Sequence, residues 1–182
     1  RTALADTTSH RRTPAGRHFL VDAGARYALR KDQPIAIKVG ERTVTPALLS
    51  LGARNLDGLI ISSPESGCAG GAAEIIENPS ITIDAVYHAL PFNQLSGDET
   101  TDDILKMFGD PAVFQHDRRR RAELTAWAVQ DLFRAAGELD IPTIPVSAGR
   151  IIHSETVARD GTSLKFEIKV LNPPDPRYSG RY

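Results

Sequence analysis

Leu59-Ile60-Ile61 is an uninterrupted apolar run, entered through Leu56-Asp57-Gly58 and closed by Ser62-Ser63-Pro64. A continuous run, unlike an alternating one, predicts a strand covered on both faces. Such a strand needs partners on either side, and both flanks read as helices. Upstream, Thr45-Pro46 opens a helix with proline at its first position, running through Leu48 and Leu49 to a stop near Gly52. Downstream, residues 70–77 offer Ala72, Ala73, Ile75 and Ile76 to a core.

The same alternation extends along the chain. His18-Phe19-Leu20-Val21 is a short strand closed by Asp22-Ala23-Gly24, and residues 81–87 and 141–146 are further strands. Residues 1–16 read as an arm or frayed strand, followed beyond Gly24 by a loop of mixed charge and an extended piece at Ile35 and Ile37. Gly40-Glu41-Arg42 reads as a turn, residues 89–100 as a loop, and 101–108 as a helix. The longest helix is predicted over 118–139, with Asp117 as its N-cap and Leu124, Trp127, Ala128, Leu132, Ala135 and Leu139 on one stripe. Residues 150–157 and 163–170 form a hairpin about Asp160-Gly161, and Asn172-Pro173-Pro174 stops its second strand. Mixed strands and helices with a closing hairpin predict a layered α/β or α+β domain.

The 182 residues are enough for one domain with a real core. Hydrophobic residues at 41% and charged residues at 25% exclude a disordered tail, a collagen-like repeat and a disulfide miniprotein. Twenty-two Lys+Arg against 23 Asp+Glu give a net charge of −1, which argues against a whole-domain grip on nucleic acid and leaves only local basic patches. No apolar run approaches the roughly 18 residues of a membrane span, and no signal-peptide pattern is present, so a soluble domain of open compartment is expected. The single Cys68 excludes an internal disulfide and a Cys-rich zinc site. The start at Arg1 and the loop-like end at Arg181-Tyr182 read as those of a piece of a longer protein or a processed form. The expected partner is the remainder of such a polypeptide, or a second subunit.

Two segments carry a resemblance. The first is Thr13-Pro14-Ala15-Gly16-Arg17-His18-Phe19-Leu20-Val21-Asp22-Ala23-Gly24. The second runs from Leu56-Asp57-Gly58 through Ser62-Ser63-Pro64-Glu65-Ser66-Gly67-Cys68-Ala69-Gly70-Gly71, with Leu51-Gly52-Ala53-Arg54-Asn55 leading into it. Together they resemble the opening of a metallo-β-lactamase-fold hydrolase domain, nearest to the hydrolase domains of ComEC-type competence proteins. Gly137 to Val146, Gly149 and Val170-Leu171-Asn172-Pro173-Pro174 resemble the later part of the same pattern. The resemblance implies an αββα sandwich, with this chain forming a single domain over 1–182 that represents its N-terminal half or a truncated version.

The family's loop supplies metal ligands at four positions, which in register are Ser63, Glu65, Gly67 and Cys68. Glycine has no donor, and serine is a poor ligand for zinc, which prefers Cys, His and carboxylates. Only Glu65 and Cys68 are candidate donors, and a catalytic zinc needs three or four protein ligands to bring its water near neutral pKa. The supporting residues Asp22, Gly70 and Gly71 persist. The expectation is therefore a domain of this family that has lost its metal ligands, non-catalytic, a structural or binding module, with no cofactor. The alternative is a divergent metal-dependent hydrolase or nuclease of ComEC type, related to DNA uptake, with zinc if the site is intact.

Other residues admit a plainer reading beside the functional one. Cys68 is either a nucleophile near a helix start or a packed small thiol. Asp22 is a loop carboxylate below the metal site, or a group satisfying backbone N–H at a strand end. His88, at another strand end, is a ligand or a structural histidine, and His116 and His153 are weaker ligand candidates. Arg118, Arg119, Arg120 and Arg121 are candidate phosphate contacts, or a solvated helix face balanced by Asp117 and Glu123. Nucleic acid is a possible partner and not the favoured one.

Overall fold

A computed structural model describes residues 2–3, 8–30, 33–90, 100–108, 116–159 and 162–171. The first strands are β1 (Thr2–Ala3), β2 (Ser9–Arg12), β3 (His18–Val21), β4 (Tyr27–Arg30) and β5 (Gln33–Ala36). A π-helical turn, Gly40–Val44, then runs into α1 (Thr45–Ser50). Next come β6 (Asn55–Leu56), β7 (Gly58–Ile61), α2 (Ser66–Ala69), α3 (Ala72–Ile76), β8 (Thr82–Ile83) and β9 (Val86–His88). The remainder is α4 (Thr101–Phe108), α5 (His116–Glu138), β10 (Thr143–Pro145), β11 (Ile151–Arg159) and β12 (Thr162–Lys169).

Leu20, Leu59, Val86 and Thr143 stand side by side on four parallel strands, β3, β7, β9 and β10. The β2 strand adds antiparallel to β3, and β1 to β2, giving a six-stranded sheet of order β1-β2-β3-β7-β9-β10. The protein is thus mixed α/β, with parallel and antiparallel pairings in one sheet. The two segments that carry the family resemblance are adjacent strands of it, with Leu20 opposite Leu59.

Strand alternation gives the sheet two unlike faces. On one, Leu20, Leu59 and Val86 are fully buried, and so are Ala72, Ile75, Val129, Leu132 and Ala135 of α3 and α5 in the same cluster. On the other face, the in-register row Val21, Ile60, Tyr87 and Ile144 is only half-buried. Leu59 and Ile61 are buried on the helix-covered face and Ile60 is half-buried on the other, so the strand is fully covered on one face only. Phe19 belongs to the second face, and its ring lies 5.2 Å from that of His153 on β11. The Glu155 carboxylate accepts from Thr13 Oγ1 at 2.9 Å and from the Ala15 amide at 3.0 Å. The β11–β12 hairpin is held on the side opposite the helices by these contacts.

Several local readings are corrected. Of the two readings for residues 1–16, the strand holds and the arm does not, because Ser9–Arg12 finds a complete ladder partner in β3 and Thr2–Ala3 pairs with it in turn. The mixed-charge loop holds the β4–β5 hairpin. Gly40 does not make a turn. It begins a helical segment, and its missing side chain serves close packing against Gly71. The strand over 81–87 splits, β8 pairing with β6 and β9 with β7. The longest helix starts at His116, so Asp117 lies within its first turn rather than capping it. Leu139 lies beyond that helix and is 53% exposed, and Trp127 is half-buried with its ring T-shaped to that of Tyr27. The Asp160-Gly161 turn, the Asn172-Pro173-Pro174 stop and most of the 89–100 loop fall outside the described residues.

Candidate functional site

Where β3 ends, Asp22 takes φ 58, a left-handed conformation that aspartate tolerates better than most side chains. Its amide donates to the Ile60 carbonyl at 2.8 Å. Its carboxylate accepts from the Ser62 amide at 2.8 Å, and the Ser62 hydroxyl lies 2.9 and 2.8 Å from its two oxygens. The ends of β3 and β7 are stitched together by one buried side chain. Burial pushes the Asp22 carboxyl up, and the Ser62 hydrogen bonds oppose that. The Cys68 sulfur lies 4.0 Å from Ser62 Oγ, and the Ala23 amide donates to the Cys68 carbonyl at 2.7 Å.

The loop carrying the four positions at which the resemblance implies metal ligands runs from Ser62 into the single turn of α2. Its glycines are not equivalent. A Cβ on Gly70 would stand 2.7 Å from the Arg26 amide nitrogen, and one on Gly71 would stand 2.9 Å from that of Gly40. Real Cβ atoms do not approach that closely, so both positions demand glycine. A Cβ on Gly67 would meet nothing within 4 Å. The glycines that support the loop are sterically required, and the glycine at a ligand position is not.

The other three ligand positions are spread between solvent and core. Ser63 is half-exposed, and its hydroxyl accepts from the Glu65 amide at 3.3 Å. Glu65 is exposed and precedes α2, where its backbone carbonyl accepts from the Cys68 and Ala69 amides at 2.8 and 3.0 Å. Cys68 is buried, and its thiol is pushed up to about 11, first by burial and then by the Asp22 carboxylate. The nucleophile reading needed the opposite shift, so this thiol stays protonated at neutral pH. Among the described residues, no group of three or more His, Cys, Asp or Glu side chains is placed to hold a metal ion. The donor set does not fit a zinc centre: one position lacks a side chain, one is a hydroxyl, and only Glu65 and Cys68 remain as donors, the first exposed and the second buried.

His88 lies at the end of β9, opposite Ile61, on the helix-covered face. It is 1% exposed, its ring is T-shaped to that of Phe133 at 5.3 Å, and among the described residues neither ring nitrogen has a hydrogen-bond partner. Burial pushes it down to about 4, so it is neutral at physiological pH. It belongs to the core between the sheet and α5. His153 bonds to Glu155 at 2.9 Å, and the His116 side chain is outside the description.

In the basic run, Arg119 Nε and Arg120 Nη1 lie 3.3 and 2.8 Å from the same Glu123 carboxylate. Arg121 is exposed, and the Arg118 side chain is outside the description. Ser62 is the residue that sequence reasoning overlooked. Its place directly after the apolar run, and before the ligand positions, was the available signal. Arg26 was also missed. It pairs with Asp131 of α5 and lies 3.6 Å from Glu74 of α3, joining the loop after β3 to two helices. Among the described residues, no helix is long and apolar enough to cross a membrane. No protein-family model and no curated protein sequence matches the chain.

Proposed function

We infer that the chain is a metallo-β-lactamase-like domain, the N-terminal half of an αββα sandwich nearest to ComEC-type hydrolase domains, which has lost its metal ligands. It acts as a non-catalytic structural or binding module within a longer polypeptide or beside a second subunit. One observation carries the reading. The loop keeps the parts that shape its backbone, the Asp22–Ser62 junction and the close approaches at Gly70 and Gly71. The positions that would donate to metal hold Ser63, Glu65, Gly67 and Cys68. The close approaches at Gly70 and Gly71 leave no room for a side chain, whereas a Cβ at Gly67 would meet nothing. The layer order of helices, sheet and opposed hairpin is compatible with the same half-sandwich.

Zinc binding tests this. Purified protein dialysed against zinc, then against metal-free buffer, is expected to retain far less than one equivalent. The combined variant Ser63→His, Glu65→Asp, Gly67→Asp, Cys68→His is expected to gain zinc affinity, since the scaffold is in place and position 67 has room. Stoichiometric zinc on the natural chain, lost in Cys68→Ala, would overturn the reading and favour the divergent hydrolase or nuclease.

A further inference from the structure

β12 is the outer strand of its hairpin. Among the described residues, it pairs with β11 on one edge and with no strand on the other. The hydrogen bonds and the ring contact that tie the hairpin to the main sheet come from His153 and Glu155 of β11, and Phe166 of β12 shares a cavity wall with Arg12, Thr13 and Gly16. Natural proteins blunt such an edge or cover it.

The phase of the free edge follows from one residue. The Val170 amide donates to the Arg150 carbonyl, and the Val170 carbonyl accepts from the Gly149 amide, both at 2.8 Å. Val170 therefore turns its backbone toward β11. By strand alternation Lys169, Glu167, Lys165 and Ser163 turn theirs toward the open edge. These are the residues that would form the hydrogen-bonded pairs with an added strand.

The side chains along this edge are self-complementary. About Phe166 as a centre, Lys165 mirrors Glu167 and Leu164 mirrors Ile168. We propose that β12 pairs antiparallel with β12 of a second copy of this chain across a two-fold axis at Phe166, making a continuous four-stranded sheet. Lys165 then faces Glu167 of the second copy and Glu167 faces its Lys165, both in hydrogen-bonded pairs. Leu164 faces Ile168 of the second copy in the closer, non-hydrogen-bonded pairs. Leu164 is 54% exposed in the single chain, and the Lys165 side chain is 65% exposed, so both are available. Within one chain, Lys165 and Glu167 already lie 2.6 Å apart on one face.

Register is set by the same pattern. A shift of the axis to residue 165 or 167 puts Lys165 against itself or Glu167 against itself. A shift to 168 leaves only residues 167–169 paired within β12, because Phe166 and Lys165 would then face residues beyond its end. The interface is isologous and closes at two copies.

Sedimentation velocity over a micromolar-to-millimolar series tests the pairing, with circular dichroism to check folding. The natural chain is expected to form a dimer. Lys165→Glu and Glu167→Lys are each expected to weaken it at least about tenfold, since each sets like charges opposite one another twice. Mixing the two single variants is expected to give a heterodimer, because each then supplies the charge the other lacks. The double variant Lys165→Glu/Glu167→Lys should recover the homodimer. A natural chain that stays monomeric throughout, or single variants that fail to associate on mixing, would overturn the proposal. Open-ended aggregation in place of a discrete dimer would overturn it too.

Discussion

Asp22 is asked to hold a left-handed backbone and to answer two donors of Ser62. Asparagine tolerates that conformation and keeps one acceptor for the Ser62 amide, whereas alanine does neither. Asp22→Asn is expected to cost about 1 kcal/mol or less, and Asp22→Ala about 2–4 kcal/mol, from the lost hydrogen bonds and the strain together. Urea unfolding of both variants measures this. Equal losses would mean that the junction does not depend on these bonds. This residue was half legible in the sequence. A strand-end aspartate satisfying backbone N–H is a local pattern, but the donor lies across the sheet at Ser62 and no local pattern names it.

At the scale of the loop and its flanking elements, the two kinds of glycine separate experimentally. Gly67→Ala lies in the short turn of α2 with open space around it, and is expected to leave stability unchanged or raise it by up to about 1 kcal/mol. Gly71→Ala must displace the Gly40 segment and is expected to cost at least about 2 kcal/mol. Thermal unfolding compares them, and equal midpoints would contradict the close-approach argument. The same contrast shows what the sequence made legible among the elements. β3, β7 and the long α5 announce themselves by local apolar pattern. β2 does not, because Ser9, His10, Arg11 and Arg12 become a strand only through pairing with β3. Gly40 misled for a related reason: its use is contact with a segment far along the chain. The end of the apolar run at Ser62 was legible as the stop of β7, while the packing that sets the Cys68 thiol beside Ser62 and Asp22 needed the three-dimensional structure.

For the molecule as a whole, His88 makes stability depend on acid. The native ring stays neutral down to about pH 4, whereas an unfolded histidine takes its proton near 6.5. Between those values the unfolded chain binds the proton and the native chain does not, so stability falls as pH falls. The loss approaches about 3 kcal/mol by the lower end of that window. Urea unfolding at about pH 7 and about pH 4.5 should show this slope, flattened in His88→Leu. An unchanged slope in that variant would assign the acid sensitivity elsewhere. The order of the parallel strands has a further consequence, for the time the chain takes to reach this state. Leu20 finds its neighbour only at Leu59, Leu59 at Val86, and Val86 at Thr143, beyond all of α5. Distant pairings slow folding, because loop closure is completed before contact is rewarded. A nascent chain leaving the ribosome therefore carries β9 with a bare edge until α5 has followed it out. The long helix is synthesised before the last strand of the sheet it covers.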